Sequence, residues 1–141
     1  MKAFFDTSVL VATFLGDHEH HEPSIGALLR HEKEEICCGI HSLAEVYATM
    51  TRLPGAHRVS PSDAMLFLET IRERMTVIAL DESGYMDAIQ AAAGSGATGG
   101  LVYDALLAQC AIKAKAESIL SWNVRHFQRA ASGHAEKIKT P

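Results

Sequence analysis

The feature of this sequence that most restricts its fold is an alternation of short, continuously apolar runs with helical segments. The runs lie at Lys2–Phe5 and within EEICCGI, TVIAL and ESILSW. A strand with one face in water alternates apolar and polar residues. These runs do not alternate, so both faces of each strand are covered. Between them, apolar spacing predicts helices over Ser8–Leu15, Ser24–His31, Ser42–Arg52, Glu82–Ala93, Leu101–Ala116 and Val124–Arg129. A further helix starts at Pro61 and carries the stripe Ala64, Phe67, Leu68 and Ile71. LPG (53–55) and GSGATGG (94–100) mark loops, and EKIKTP closes the chain with a candidate edge strand. This order describes an α/β fold, a mainly parallel sheet of four to five strands with helices on both faces. In such a sheet, ligands bind beyond the carboxyl ends of the strands, where strand order reverses.

Asp6, Glu45, Asp104 and Asn123 all fall just past a strand end or near a helix start. Each has a local explanation. Asp6 can cap the helix that follows it. Ser42 and Glu45 are spaced as a capping box. Asp104 suits the positive end of a helix dipole, and Asn123 suits a turn. A cap, however, requires only its own helix. It does not require carboxylates and an amide to share one end of one sheet, nor does it place Asp6 and Asp104 in the most apolar segments. Clustered carboxylates repel, and one takes up a proton unless a cation is present. Mg²⁺ or Mn²⁺, which prefer oxygen ligands, resolve the conflict. Such an ion activates a water and stabilises charge on a phosphoryl oxygen, which points to a phosphate ester as substrate. The net charge of −4 bears on the same question. A protein that grips nucleic acid by broad electrostatics is normally basic. Either this one does not bind nucleic acid, or its acids are concentrated where cations reverse their effect.

The segments FFDTSVLVATF, HSLAEVYATMTRLPG, GGLVYDALLAQCA and ILSWNVRHF resemble, in order and spacing, the four motifs of PIN-domain ribonucleases. The nearest resemblance is to the toxin component of VapBC-type toxin–antitoxin pairs. It implies a PIN-like three-layer α/β/α sandwich occupying residues 1–141 as one domain. It also implies a Mg²⁺- or Mn²⁺-dependent endoribonuclease that hydrolyses RNA phosphodiester bonds with metal-activated water. The implied partners are an RNA substrate, a cognate VapB-like antitoxin and a second copy in a homodimer. Carried over by position, Asp6, Glu45 and Asp104 are the acidic metal ligands. Asn123 stands where many relatives have a fourth acid, which removes one charge and bears on a second metal. Ser121 stands where threonine is common, and Thr7 or Ser8 is similar to a hydroxyl that positions the acids or a water.

Arg52 and Arg58 flank LPG beside the helix of Glu45, and Arg125 and His126 follow Asn123. All four are candidates for gripping phosphate. Trp122 can either pack or stack a base. HEHHE (18–22) reads as an exposed link whose spacing fits no common zinc site. Leu10, Phe14, Leu15, Ile25, Leu28 and Leu29 suit the core, and part of their surface could receive an antitoxin segment. Cys37, Cys38 and Cys110 read as small buried hydrophobes. The apolar N-terminus carries Asp6 and Asp17 and lacks a cleavage-site pattern, and no transmembrane stretch is visible, so a cytoplasmic location is expected. Two other readings compete. A catalytically weak PIN-fold module would bind RNA or protein without cutting, with Asn123 in its favour. A phosphatase or receiver domain needs acids that the chain lacks: Ser8 stands two residues after Asp6, and Asp81 reads as a helix cap.

Overall fold

The computed structural model describes residues 1–141. Five parallel strands form one sheet in the order β3-β2-β1-β4-β5. They are β1 (Ala3–Phe5), β2 (Ile36–Gly39), β3 (Thr76–Ile78), β4 (Ser118–Leu120) and β5 (Ile138–Lys139). The helices are α1 (Thr7–Phe14), α2 (His21–Leu29), α3 (Ile40–Thr51), α4 (Pro61–Arg74), α5 (Glu82–Gly94), α6 (Leu101–Lys113) and α7 (Val124–Ala130). The chain winds outward from β1 through β2 to β3, then crosses back to add β4 and β5 on the other side. The reversal therefore falls between β1 and β4, which pair in parallel with Phe5 opposite Leu120.

The continuous apolar runs are explained by two cores, one on each side of the sheet. Ala3, Phe5, Ile36, Cys38 and Leu120 face a core shared with α1 to α4. Phe4, Cys37 and Ile119 face a second core shared with α6 and α7. Successive strand residues point to opposite faces, so a strand with a core on each side must be apolar at every position. The three cysteines are buried and unpaired, and burial pushes the Cys37 and Cys38 thiols up to about 12, as expected of inert packing groups. No helix is long and apolar enough to cross a membrane.

The helix boundaries depart from the sequence reading in physically explicable ways. Helix α2 begins at His21 rather than Ser24 and includes Pro23. Proline is tolerated in a first turn, where its missing N–H has no helical acceptor. Helix α6 ends at Lys113 rather than Ala116. There the Lys115 N–H donates to Ile112 O and the Ala116 N–H to Ala111 O, with Lys115 in the left-handed region at φ 52°. This is a Schellman ending, built on a lysine in the place usually taken by glycine. Of the apolar residues considered as an antitoxin surface, Leu10 and Leu28 belong to the core, and only Leu29 is well exposed, at 66%.

Helix α3 begins at Ile40 with Gly39 as its N-cap, which removes the proposed capping box. Ser42 lies inside the helix and is fully buried, and Glu45 sits in the second turn rather than the first. Gly39 also lies close against α6: a Cβ there would meet Leu107 Cδ2 at 2.7 Å and Cys110 Sγ at 3.4 Å. Gly39→Ala is therefore expected to cost about 1–3 kcal/mol through overpacking. It should also displace α6, and with it Asp104. Thermal unfolding checks the first effect and activity of the folded fraction the second.

Candidate active site

Asp6 leaves the end of β1 at the topological switch and is 4% exposed. Its backbone occupies the N-cap of α1, with its carbonyl accepting from Val9 and Leu10, but its side chain caps nothing. Instead Oδ2 accepts hydrogen bonds from Ser8 Oγ and Ser121 Oγ, both at 2.7 Å. Those two hydroxyl oxygens in turn accept backbone N–H groups from just past β4: Trp122 donates to Ser8 and Asn123 to Ser121, each at 3.0 Å. This relay fastens the end of β1 to the end of β4 and fixes the Asp6 carboxylate. A simple cap would have used the α1 amides.

Glu45 reaches the same cleft from α3. Thr7 Oγ1 donates to Glu45 Oε1 at 3.0 Å and lies 3.0 Å from Ser42 Oγ. Thr7 and Ser8 thus divide their work, one steadying Glu45 and the other Asp6. Asp104 arrives from the first turn of α6. Asn123 precedes α7 without a side-chain capping bond. Asp6, Glu45, Asp104 and Asn123 together line a cleft of about 470 Å³. The sheet thus brings together all four residues singled out from the sequence, and neither Asp6 nor Glu45 serves the capping role that was its local alternative.

The electrostatics record the crowding. Burial, and then the Asp6 and Glu45 carboxylates, push Asp104 up to about 6, against a smaller opposite pull from His126. Glu45 is raised as well, by burial first and by Asp6, while its hydrogen bond from Thr7 works the other way. Without a cation, folding makes Asp104 bind its proton more tightly. The resulting penalty is absent below pH about 4, grows between about 4 and 6, and is complete above that. In chelator, Asp104→Asn is therefore expected to differ least from the wild type near pH 4 and to melt about 2–5 °C higher at pH 7.5. Thermal unfolding at the two pH values checks this.

The remaining sequence candidates fall into place less uniformly. Arg52 borders an adjoining hollow with His41 and Tyr103. Arg125 and His126 border another with Trp122 and Asn123. Arg58 is not on the cleft wall, and its Nε donates to Leu53 O at 3.1 Å, closing its own loop. The HEHHE segment is not simply an exposed link: His18, Glu19 and His20 line the cleft, and His21 and Glu22 open α2. Sequence reasoning missed these residues, together with His41, Thr49 and Tyr103. The only visible signals were the adjacency of Tyr103 to Asp104 and the one-turn spacing of His41 and Thr49 from Glu45.

Residues 3–132 match the family model of the PIN domain. The chain belongs to the PIN-domain family. Among curated relatives of this PIN domain, ribonuclease VapC40 of Mycobacterium tuberculosis is 37% identical over 124 residues, covering 85% of each chain. Ribonuclease VapC27 of the same organism is 37% identical over 113 residues, covering 79% of this chain and 78% of its own. The crystal structure of M. tuberculosis VapC20, described as a sarcin–ricin-loop-cleaving toxin, superposes with a TM-score of 0.74 at 12% identity, over 94% of this chain and 95% of that one. VapBC2 from Rickettsia felis, solved with a DNA fragment from its promoter, gives 0.66 at 16% identity, over 99% and 98% of the two chains. The five-stranded parallel sheet flanked by helices is the fold that these structures share with this PIN domain.

Proposed function

We propose that this PIN domain is a Mg²⁺- or Mn²⁺-dependent endoribonuclease and the toxin component of a type II toxin–antitoxin pair. The observation that carries this reading is the convergence of Asp6, Glu45 and Asp104 on one cleft at the switch point, with Glu45 and Asp104 held above their ordinary carboxylate values. The names of the VapC40 and VapC27 relatives supply the RNA.

The donor set suits a hard cation. It is all oxygen, as Mg²⁺ and Mn²⁺ prefer, and such ions keep several of their waters and take only a few carboxylates. The three acids do not close into a ready-made cluster. Asp6, Glu45 and Asp104 would hold the ion, with the Asn123 amide as a neutral fourth group. When bound, the ion supplies Lewis acidity toward a phosphoryl oxygen and acidifies a water. The chain's own contribution is positioning. Ser8 and Ser121 occupy Asp6 Oδ2, no protein group donates to Oδ1, and Thr7 aims Glu45.

The partner is a VapB-like antitoxin, in keeping with the VapBC assemblies from R. felis and nontypeable Haemophilus influenzae among the structures of this fold. By resemblance to VapC toxins, the proposed active form is a homodimer. The test is incubation of purified protein with RNA. Internal cuts are expected with Mg²⁺ or Mn²⁺, none in chelator, and none in the presence of the antitoxin encoded beside it. Persistent cleavage in chelator would refute the metal-dependent reading, and intact RNA under every metal condition would refute the nuclease.

A further inference from the structure

The cleft does not end at its carboxylates. Glu45 and Thr49 also border a hollow of about 390 Å³ walled by His41, Arg52 and Tyr103. On the other side, Trp122 and Asn123 lead into a hollow of about 350 Å³ beside Arg125 and His126. One groove therefore runs from Arg52 past the acids to Arg125, basic at both ends and acidic in the middle.

Each arm of this groove carries a stacked aromatic pair. His20 lies on Trp122 with ring centroids 3.8 Å apart and planes 8° from parallel. His41 lies on Tyr103 at 4.8 Å and 17°. Trp122 directly precedes Asn123 and Tyr103 directly precedes Asp104, so each pair adjoins a residue of the acidic site. The indole is set before any ligand arrives: Nε1–H donates to Ser24 Oγ at 2.9 Å, and Ser24 is fully buried. Its backbone N–H is tied to Ser8 in the relay that holds Asp6. The His20 backbone N–H is held by His18 Nδ1 at 3.0 Å. Trp122 packs against the core on one side and carries His20 on its ring, so the open face of each pair belongs to its exposed member: the His20 side chain is 37% exposed and Tyr103 is 46% exposed.

Flat, preset, partly open rings on both sides of a phosphate-directed centre have the form of base-stacking platforms. Stacking a nucleobase on an aromatic side chain strengthens binding and tolerates any base, because every base has a π-face. A base inside a duplex has both faces occupied and cannot use such a platform. Building on the ribonuclease reading, we infer that His20–Trp122 and His41–Tyr103 are nucleobase-stacking sites on either side of the scissile phosphate. Such platforms require the bases that flank the cut to be unpaired.

Trp122 is the only tryptophan, so its emission reports on one platform. The probes are a single-stranded oligoribonucleotide that the wild type cuts, versions abasic immediately 5′ or 3′ of the cut, and the same strand annealed to its complement. Saturating the Asp6→Asn protein with the intact strand should quench Trp122 emission, and one of the abasic strands should not. The abasic strands should raise KM about 10-fold with kcat changed less than about 3-fold, and the duplex should be cut at least about 100-fold more slowly. His20→Ala and Tyr103→Ala should raise KM about 10-fold for intact RNA but not for the strand already lacking the matching base. His20→Phe and Tyr103→Phe should restore it, which separates stacking from a folding defect. Unchanged emission with RNA bound, or equal cleavage of intact, abasic and duplex RNA, overturns the inference while leaving the ribonuclease reading intact. Failure of the wild type to cut any RNA overturns both.

Discussion

Asp6→Asn is expected to slow RNA cleavage at least about 10³-fold, a loss of about 4 kcal/mol of transition-state stabilisation, while the protein stays folded. The substitution keeps the shape of the side chain, and an amide oxygen can still accept the hydrogen bonds from Ser8 and Ser121. What it removes is the charge at the point where β1 and β4 open, and with it the group proposed to hold a cation through Oδ1. Asp104→Asn is expected to lose activity on a similar scale and to gain stability in chelator, because it relieves repulsion from Asp6 and Glu45. Loss of activity with unchanged or raised stability marks a residue kept for chemistry. Initial rates and melting curves on the same preparations check both variants. Full activity in Asp6→Asn would remove this carboxylate from the catalytic set.

Phe5→Ala is expected to destabilise the protein by about 3–5 kcal/mol, lowering the melting temperature by about 10 °C. Phe5 is fully buried in the core under α1 to α4, one residue before Asp6, on the strand at the centre of the sheet. Phe4→Ala should cost a similar amount from the opposite core. Comparable losses from adjacent residues are what a strand buried on both faces requires. If one of the pair melted like the wild type, its face of β1 would not be packed as described. Denaturant unfolding of both variants measures the costs.

Much of this architecture was legible because the strands carry an unambiguous signal. FF, ICC and IL are apolar at consecutive positions, and only a sheet covered on both sides accounts for that. Asp6 and Asp104 were legible for the complementary reason: a charge beside or within such a segment must have a use. The start of α3 was misread because Ser42 and Glu45 have the spacing of a capping box. In the fold, Gly39 caps the helix and Ser42 is consumed by Thr7, a contact between residues 35 apart in sequence. The same limit hid the rim. His18, Glu19 and His20 look like a polar link until Trp122, about a hundred residues later, is laid against His20. Local spacing cannot report a partner supplied by the switch between β1 and β4. The hydroxyl relay from Ser8 and Ser121 to Asp6 was visible only as a set of suitable residue types, and its wiring required the sheet order.

Asp6, Glu45 and Asp104 are expected to act through a divalent cation. The most direct measurement is Mn²⁺ titration by calorimetry, set beside the rate of RNA cleavage over the same Mn²⁺ concentrations. The rate should follow occupancy of the cleft. Glu45→Gln should move both curves to higher Mn²⁺ together, and Asp6→Asn and Asp104→Asn should abolish both. Cleavage that persists in chelator, or a binding curve that is the same in wild type and in all three variants, would contradict it.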